Sequence, residues 1–297
     1  MKHLLTTFLL GFGFLSARAQ TSFDTEAHRG GRGLMPENTI PAMLNGVRTG
    51  VRTLELDTHI TADGQVVVSH DGFMNPIIMQ KPDGSDIAKA DEKRYILYKM
   101  TYADIRQFIE GVKDYPAFPQ QQKIKTYKPL LADLIDSVET YIKAHHLKPV
   151  HYNIETKSSP AGDGVENPAP AEFVKLLINV IKQKKVTKRV IIQSFDPRTL
   201  QVLHRQMPKV KTAFLMQTGD YDGGLKTLGF KPSIISPEQK IVTANMVAAA
   251  HKDHVQVIPW TVNDEDKMKT LINLKVDGII SDYPDRLVKL IGSYQEK

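Results

Sequence analysis

The sequence contains no cysteine in its 297 residues. Disulfide bonds, a thiol nucleophile and a metal site built from thiolates are therefore excluded, and any bound metal must be held by oxygen atoms or imidazole nitrogens. The proportion of hydrophobic residues, 41%, is ordinary for a globular protein, so a chain of this length can bury a large core.

The sequence also lacks a hydrophobic run long enough to cross a bilayer, which takes about 20 residues. The apolar stretch from Leu4 to Leu15 is shorter than that. It follows a positively charged start and precedes the small residues Ala17 and Ala19. This arrangement predicts a secretory signal over residues 1–20, cleaved at its end, and hence a secreted or periplasmic protein. A retained lipid-facing anchor is the alternative.

Charge of one sign is not concentrated in long runs. The formal net charge is +6 and falls to +4 when Lys2 and Arg18 are lost with the predicted signal, which suits a small anionic substrate. No run of Lys and Arg alternates with aromatic residues as a nucleic-acid groove requires, so we expect no nucleic-acid partner. The basic cluster from Lys182 to Arg189 is interpreted as the solvated end of a helix.

Short apolar runs alternate with segments of helical period, which predicts repeated βα units around a parallel sheet. Eight strands favour a closed (β/α)8 TIM barrel over an open doubly wound sheet. The predicted strands are Ser22–Ala27, Arg52–Asp57, Pro149–Glu155, Val190–Ser194, Lys211–Leu215, Pro232–Ile235, Val255–Trp260 and Gly278–Ser281. The predicted helices are Thr39–Arg48, Pro129–His145, Ala171–Lys184, Pro197–Gln206, Thr243–His251, Asp264–Asn273 and Asp285–Gly292.

Residues 73–128 interrupt this alternation. The segment is polar and turn-rich, with a predicted turn at Lys81–Gly84 and a predicted short helix at Met100–Glu110. Because it is far longer than an ordinary βα loop, we expect an insertion after the second strand, within a single barrel domain over residues 21–297. Long ordered loops of this kind often contribute to a substrate site. The alternative is an insertion without a functional role.

The first predicted strand runs directly into His28-Arg29-Gly30. Arg presents a planar fork to phosphate oxygens, and His exchanges a proton near neutral pH. Together at the carboxyl end of a barrel strand they indicate an anion site with phosphate-ester chemistry, whereas a lone His28 is more often structural.

Carboxylates end two other predicted strands. Glu55 and Asp57 project to the same face because alternate residues of a strand share a face, and two like charges about 7 Å apart favour a cation between them. Glu155 brings a third carboxylate and Lys157 a positive charge. Carboxylate oxygens are the ligands that Ca²⁺ and Mg²⁺ prefer, so these residues favour a site for one such divalent cation. The alternative is that the acids face solvent.

A second histidine, His70, follows the apolar run Val66–Val68, so two imidazoles can divide the deprotonation and protonation steps of phosphoester cleavage. His59 is interpreted as structural or supporting. Gln193, Phe195 and Trp260 end further strands and can line a pocket for a small polyol, although aromatic residues at strand ends are core packing about as often.

Six linked motifs resemble, in order and spacing, those of the glycerophosphodiester phosphodiesterase family. They are His28-Arg29-Gly30, Pro36-Glu37-Asn38-Thr39, Glu55-Leu56-Asp57, His70-Asp71, Asn153-Ile154-Glu155-Thr156-Lys157 and Trp260-Thr261-Val262-Asn263. The run from Asp277 to Pro284 also resembles the last strand of that family, so the resemblance covers nearly the whole chain after the predicted signal.

The resemblance implies a (β/α)8 barrel with an insertion and a set of residue roles. The implied acid–base pair is His28 and His70, the implied metal ligands are Glu55, Asp57 and Glu155, the implied phosphate-binding residues are Arg29 and Lys157, and Glu37 and Asn38 resemble pocket-shaping residues at the same mouth. The glycine-rich loop Gly31–Gly33 and Ser281 depart from the family pattern, and we expect neither to touch the chemistry.

The activity implied is metal-dependent hydrolysis of a small glycerophosphodiester to glycerol 3-phosphate and an alcohol. The residues leave water or a neighbouring glycerol hydroxyl open as the nucleophile. Two other functions are weighed: a phospholipase C- or D-type phosphodiesterase acting on intact lipid, and a binding protein that captures glycerophosphodiesters without cleaving them. Neither the head group nor the oligomeric state follows from the sequence.

Overall fold

Eight parallel strands, most of them followed by a helix, form the centre of the computed structural model, which describes residues 23–295. The predicted signal over residues 1–20 lies outside the described residues. In chain order the strands are β1 (Asp24–Ala27), β2 (Thr53–Ile60), β3 (Val66–Val68), β4 (Met79–Gln80), β5 (Ile109–Glu110), β6 (His151–Thr156), β7 (Val190–Ser194), β8 (Lys211–Met216), β9 (Ile234–Pro237), β10 (Gln256–Val257) and β11 (Gly278–Ser281). The helices are α1 (Ile40–Thr49), α2 (Tyr102–Ile105), α3 (Leu131–Ala144), α4 (Pro170–Gln183), α5 (Pro197–Gln206), α6 (Tyr221–Leu228), α7 (Ala244–Lys252), α8 (Glu265–Asn273) and α9 (Pro284–Gln295).

The parallel strands pair in the order β10-β9-β8-β7-β6-β2-β1-β11. Backbone hydrogen bonds join the two ends of this row: Asp277 N donates to Val257 O at 2.9 Å, and Ile280 N donates to Pro259 O at 3.0 Å. The predicted (β/α)8 barrel is therefore confirmed. The strand predicted over Val255–Trp260 is shorter in the structure, because Pro259 has no N–H to donate to a ladder.

Alternation along the strands divides the apolar and polar side chains. On β2, Leu54 and Leu56 are fully buried in the main core, which is formed by the outer face of the sheet and the helices. Glu55 and Asp57 point the other way, into the barrel. The opposite wall of the interior is apolar and is formed by Ile191, Ala213, Ile234, Ile258 and Ile280. The buried carboxylates of the barrel strands, Glu26, Glu55, Asp57 and Glu155, thus lie on the neighbouring strands β1, β2 and β6.

Side-chain caps begin several of the helices at the mouth of the barrel. The Thr39 hydroxyl accepts a hydrogen bond from Ala42 N, so Thr39 caps α1. Helix α6 was not predicted, because Gly223 and Gly224 in its first turns weaken the helical pattern. The cap at Asp220, which accepts from Gly223 N, is the local signal that favours it.

The segment over residues 73–128 forms a small core of its own, and the predicted turn at Lys81–Gly84 is closed by a hydrogen bond from Gly84 N to Lys81 O. The helix predicted over Met100–Glu110 is wrong in extent: only Tyr102–Ile105 is helical, and Ile109–Glu110 forms a strand with β4. Gln121 Nε2 donates to Arg32 O at 2.7 Å, so this insertion packs against the loop that follows β1.

No helix within residues 23–295 has the length and hydrophobicity needed to cross a membrane.

Candidate active site

A cavity of about 130 Å³ opens at the carboxyl ends of the barrel strands. Ten of the residues that the sequence singled out line it, and they therefore converge on one place. They are His28, Arg29, Glu55, Asp57, His70, Glu155, Lys157, Gln193, Phe195 and Trp260, and the other lining residues are Arg32, Leu215, Thr261 and Ile280.

The turn after β1 folds back under the cavity because Arg29 adopts a left-handed conformation with φ of 51°. This conformation is uncommon for residues with a Cβ atom. It directs the Arg29 backbone N–H to Glu55 Oε2, at 2.7 Å, while Nε of the side chain lies 3.4 Å from Asp57 Oδ2. Gly30 follows with φ of 80°, where a Cβ atom would lie 2.8 Å from the backbone of Ala42. The turn thus requires glycine at position 30 and brings Arg29 against two carboxylates.

Three buried carboxylates form the floor of the cavity. Strand pairing places Asp57 directly beside Glu155, and one oxygen from each of Glu55, Asp57 and Glu155 lies within 4.8 Å of the others. All three residues are at most 6% exposed. Hard oxygen ligands at this separation can hold a metal ion, so the donor set fits a divalent cation.

The three carboxylates bring an excess of negative charge to this cluster. Burial and the nearby Asp57 raise the pKa of Glu55 well above its usual range, and burial raises the pKa of Glu155 to about 7. Burial opposes ionisation of Asp57 too, but Lys157, His70 and Arg29 hold its pKa well below its usual range. A cation among the three oxygens would favour the ionised form of each.

Lys157 extends from the end of β6 across the same floor. Its ammonium nitrogen lies 3.1 Å from Glu155 Oε1 and 3.6 Å from Asp57 Oδ1. Since Arg29 approaches Asp57 as well, two positive side chains face the cavity next to the carboxylates. They are placed to contact an anion that binds above the floor.

A row of hydrogen bonds below the cavity fixes Glu55. Gln193 Nε2 donates to Glu55 Oε1 at 2.6 Å, and Asn153 Nδ2 donates to both Gln193 Oε1 at 3.1 Å and Glu26 Oε2 at 2.8 Å. Burial and the neighbouring Asp24 raise the pKa of Glu26 well above its usual range. Gln193 therefore orients a carboxylate in addition to lining the cavity.

Glu37 and Asn38, expected to shape the pocket, lie behind its wall. Glu37 Oε1 accepts from Arg29 at 2.8 Å, and Asn38 Nδ2 donates to Asp57 Oδ2 at 2.8 Å. Asn38 Oδ1 also accepts from the backbone N–H of Asp57. Neither residue lines the cavity. The structure thus gives them a positioning role toward Arg29 and Asp57 instead of a place in direct contact with a ligand.

His28 is buried and held by Asp282, in the loop after β11. His28 Nδ1 lies 2.6 Å from Asp282 Oδ1, and Asp282 also accepts from Arg32 Nε at 2.7 Å and from Asn263 Nδ2 at 2.7 Å. Burial opposes ionisation of Asp282, but the hydrogen bond to His28 and the charge of Arg32 hold its pKa below its usual range, so it is a carboxylate and can only accept. The proton of neutral His28 is therefore on Nδ1.

His70 occupies a more solvated position, with a side chain that is 33% exposed. Its Nδ1 lies 3.0 Å from Asp71 Oδ1, and Asn75 donates to the other oxygen of Asp71 at 2.7 Å. His59, expected to be supporting, lies behind it and donates from Nε2 to His70 O at 3.1 Å, because a carbonyl only accepts.

An aromatic pair forms the remaining wall of the cavity. Phe195 and Trp260 meet edge to face with ring centroids 5.3 Å apart, and Trp260 Nε1 donates to Ser236 O at 2.7 Å. Phe195 is 40% exposed, so its ring is available to a ligand. The cavity thus has a charged side and an apolar side.

Sequence reasoning missed Asp282 and Arg32. The expectation that the Gly31–Gly33 loop does not touch the chemistry is wrong, because Arg32 lines the cavity and binds the partner of His28. An available signal was the position of Asp282, directly after a barrel strand, where catalytic residues of such barrels occur.

The sequence model of the glycerophosphoryl diester phosphodiesterase family matches residues 28–286. The chain belongs to this family. A relative from Bacillus altitudinis that carries the name glycerophosphodiester phosphodiesterase is 29% identical over 269 residues, covering 89% of this chain and 96% of the relative. Membership of the glycerophosphoryl diester phosphodiesterase family makes the protein a phosphoric diester hydrolase.

Solved structures show the same fold as this chain. One from Silicibacter pomeroyi, described as a glycerophosphoryl diester phosphodiesterase, superposes with a TM-score of 0.82 at 30% identity, covering 93% of this chain and 95% of the other. A phosphodiesterase from Oleispira antarctica, solved with the product sn-glycerol-3-phosphate, superposes with a TM-score of 0.70 at 22% identity, covering 91% and 96%.

Proposed function

We propose that this protein hydrolyses small glycerophosphodiesters to glycerol 3-phosphate and a free alcohol, with one divalent cation, Ca²⁺ or Mg²⁺, held by Glu55, Asp57 and Glu155. The observation that carries the proposal is that two carboxylate-oriented imidazoles line the same cavity as these three acids. The Oleispira antarctica neighbour, which binds sn-glycerol-3-phosphate, supports the same product.

When bound, the cation supplies Lewis-acid stabilisation of charge on the phosphoryl oxygens. Arg29 and Lys157 contribute fixed positive charge on the same side, where it offsets the charge that develops during transfer. Because Glu37 and Asn38 hold Arg29 and Asp57 in place, this charge is already arranged before the substrate binds.

His28 is suited to the general base. Burial lowers its pKa to about 4, although Asp282 opposes this effect, so the ring is neutral at neutral pH. With the proton on Nδ1, Nε2 carries the lone pair that accepts a proton from water or from a neighbouring glycerol hydroxyl. The new P–O bond forms from that oxygen; where it belongs to the glycerol hydroxyl, the cyclic phosphate that results is opened by water in a second step to give glycerol 3-phosphate.

His70 is suited to the general acid. Its ring lies on the more solvent-exposed side of the cavity, and Asp71, 3.0 Å from Nδ1, orients it so that Nε2 is available to the leaving group. As the P–O bond to the head group breaks, Nε2 donates a proton to the departing alkoxide and releases the alcohol. The Phe195–Trp260 wall then contacts the carbon skeleton of the glycerol.

A substrate panel tests this function. Glycerophosphocholine, glycerophosphoethanolamine and glycerophosphoglycerol are each incubated with Mg²⁺ or Ca²⁺, with and without chelator, and glycerol 3-phosphate is measured. Release that depends on the cation is the expected result. Cleavage of intact lysophospholipid in preference to these substrates, or tight binding without release of any product, would overturn the proposal.

We also propose that the protein acts in the periplasm or outside the cell, a proposal that rests only on the predicted signal over residues 1–20. Determination of the N-terminal residue of the protein made by its own cells tests it. A start near residue 20 is expected, and an intact Met1 on protein found in the cytoplasm would contradict it.

A further inference from the structure

The face of the barrel opposite the cavity carries a sector of positive charge. The three loops that lead into β6, β7 and β8 lie on this face. They span residues 145–150, 184–189 and 207–210, and none of them contains Asp or Glu. The exposed basic residues of these connections and of the helix and strand ends beside them form what we call the basic face. They are Lys143, Lys148, Lys182, Lys185, Lys188, Arg205, Lys209 and Lys211.

The residues of the basic face lack ion-pair partners in the part of the chain that the structure describes. None of its eight residues forms an ion pair within residues 23–295, whereas two neighbours that are not part of it do. These neighbours are Lys184, which pairs with Asp136, and Arg189, whose guanidinium lies 2.7 Å from Glu139. Charge that remains unpaired is available to an external anion.

Helix dipoles alone do not account for this sector. Cations are favoured at the carboxyl ends of all helices, and all the helices of the barrel end on this face. On the far side of the same face, however, acids balance the basic side chains: Lys231 lies 2.7 Å from Asp253, and His251 lies 2.8 Å from Asp277. The unpaired charge is therefore a local feature and not a general consequence of helix ends.

Apolar surface lies next to the basic face. A groove of about 660 Å³ opens on the same end of the barrel, and Lys148 is on its rim. Leu147, the residue beside it, is 39% exposed. The apolar lining is formed by Phe23, Val47, Val51, Leu147, Val150, Val288 and Ile291. Basic and apolar side chains together fit an anionic surface with a hydrocarbon layer below it, which a nucleic acid lacks.

We propose that the basic face binds the surface of an anionic phospholipid bilayer. In this orientation the cavity lies at the far end of the barrel and opens into water, away from the lipid. The protein would then remain at the membrane while it processes diesters that are already water-soluble. Binding through this face does not require catalysis, so it can be tested separately from the proposed function.

Sedimentation with vesicles tests the proposal. The purified chain, without substrate, is mixed with vesicles of phosphatidylglycerol and phosphatidylcholine or of phosphatidylcholine alone, at low and high salt. We expect binding only to the anionic vesicles, and less binding at high salt because the surface charges are screened. This salt comparison uses the unmodified protein, so it is informative even if a variant folds poorly.

A triple variant with a matched control locates the surface. Lys185→Gln, Lys188→Gln and Lys209→Gln together should weaken binding to anionic vesicles on the order of 100-fold, because each basic residue near such a surface contributes roughly fivefold. The control removes three exposed lysines elsewhere, Lys99→Gln, Lys125→Gln and Lys240→Gln, and should bind like the parent.

Three results would overturn the proposal. They are equal binding to neutral vesicles, equal loss of binding in the two triple variants, and tighter binding of the basic face to duplex DNA than to anionic vesicles. Hydrolysis of glycerophosphocholine by the same preparations, measured in parallel, should be unchanged in the vesicle-binding variant. The result therefore separates failure of this surface from failure of the active site.

Discussion

The two sides of the cavity hold their histidines differently. His28 is fixed by Asp282, which also binds Arg32 and Asn263, so its position depends on contacts between the first and last loops of the barrel. His70 lies where the chain leaves the barrel for the insertion, and its partner Asp71 is held by Asn75 of that insertion. The position of His28 therefore depends on closure of the barrel, and the position of His70 depends on the insertion.

This difference has a chemical consequence. Burial at His28 outweighs its carboxylate partner and lowers the pKa to about 4, so the ring is kept neutral. At His70, by contrast, the side chain is 33% exposed and that of its partner Asp71 is 23% exposed. A pair of identical side chains can thus take opposite roles in proton transfer because their surroundings differ, and perturbing each side should have distinct effects.

Loss of either imidazole should have the largest effect. His28→Ala and His70→Ala should each reduce kcat by roughly 10²- to 10⁴-fold, because a positioned acid or base is lost. Steady-state hydrolysis of glycerophosphocholine measures this, with unfolding curves to confirm the fold. His204→Ala, which changes an exposed histidine stacked on Phe230 far from the cavity, is the control and should retain activity. Full activity in either cavity variant would refute the acid–base assignment.

Removal of the Asp282 carboxylate should have the next largest effect. Asp282→Asn would place an amide where Arg32 and Asn263 both donate hydrogen bonds, and His28 would be misoriented. We therefore expect kcat to fall on the order of 100-fold, with little change in KM. Kinetics over a pH range provide the measurement.

The matched control for this variant is Asp277→Asn, which alters a similar carboxylate–histidine pair with His251 at the other end of β11. It should affect stability without a comparable loss of kcat. Equal kinetic losses in the two variants would show that Asp282 acts on the fold in general and not on His28.

Asp71→Asn should have a smaller effect than Asp282→Asn, about tenfold on kcat, because water reaches the more exposed His70 and can replace part of the interaction. Measured side by side, the two Asp→Asn variants test the difference between the two sides directly. A larger loss at Asp71 than at Asp282 would reverse the order that their surroundings predict.

Glu110, in the insertion, should make the stability of the protein depend on pH without affecting its activity. Burial raises the pKa of Glu110, beside Lys128, from its ordinary value of 4.5 to about 7. Between these values the folded protein retains a proton that the unfolded chain has released, so this residue makes the free energy of unfolding fall as pH rises, by on the order of 3 kcal/mol.

Glu110→Gln should remove that fall. Urea unfolding at several pH values from about 4.5 to 8 compares the slopes of the variant and the parent protein. Parallel slopes would contradict the assignment, and a change in kcat larger than the change seen with Asp71→Asn would indicate that Glu110 contributes to chemistry.

The sequence predicted the barrel and most of the site because their signals are local. The alternation Leu54-Glu55-Leu56-Asp57 specifies both a buried strand and two carboxylates on one face. The match of Glu155 to Asp57 follows from parallel pairing of neighbouring strands. Residues at strand ends in such a barrel converge because all of the strands end at one rim.

What the sequence did not predict depends on long-range contacts. The pairing of His28 with Asp282 joins residues 254 positions apart and exists only because the barrel closes. The same closure gives Arg32 its partner, so its role could not be inferred from a glycine-rich loop. Glu37 and Asn38 were expected at the cavity because they resemble pocket-shaping residues of the family, but in the structure they lie behind its wall and contact Arg29 and Asp57.

We expect Glu55, Asp57 and Glu155 to bind one divalent cation in the cavity that contains both histidines. Calorimetric titration of Mg²⁺ and of Ca²⁺ into chelator-treated protein, and into the isosteric variant Glu155→Gln, tests this most directly. We expect one ion per chain in the parent protein and strongly weakened binding in the variant. Undiminished ion binding by Glu155→Gln, or no ion binding by a parent protein that still hydrolyses glycerophosphodiesters, would contradict it.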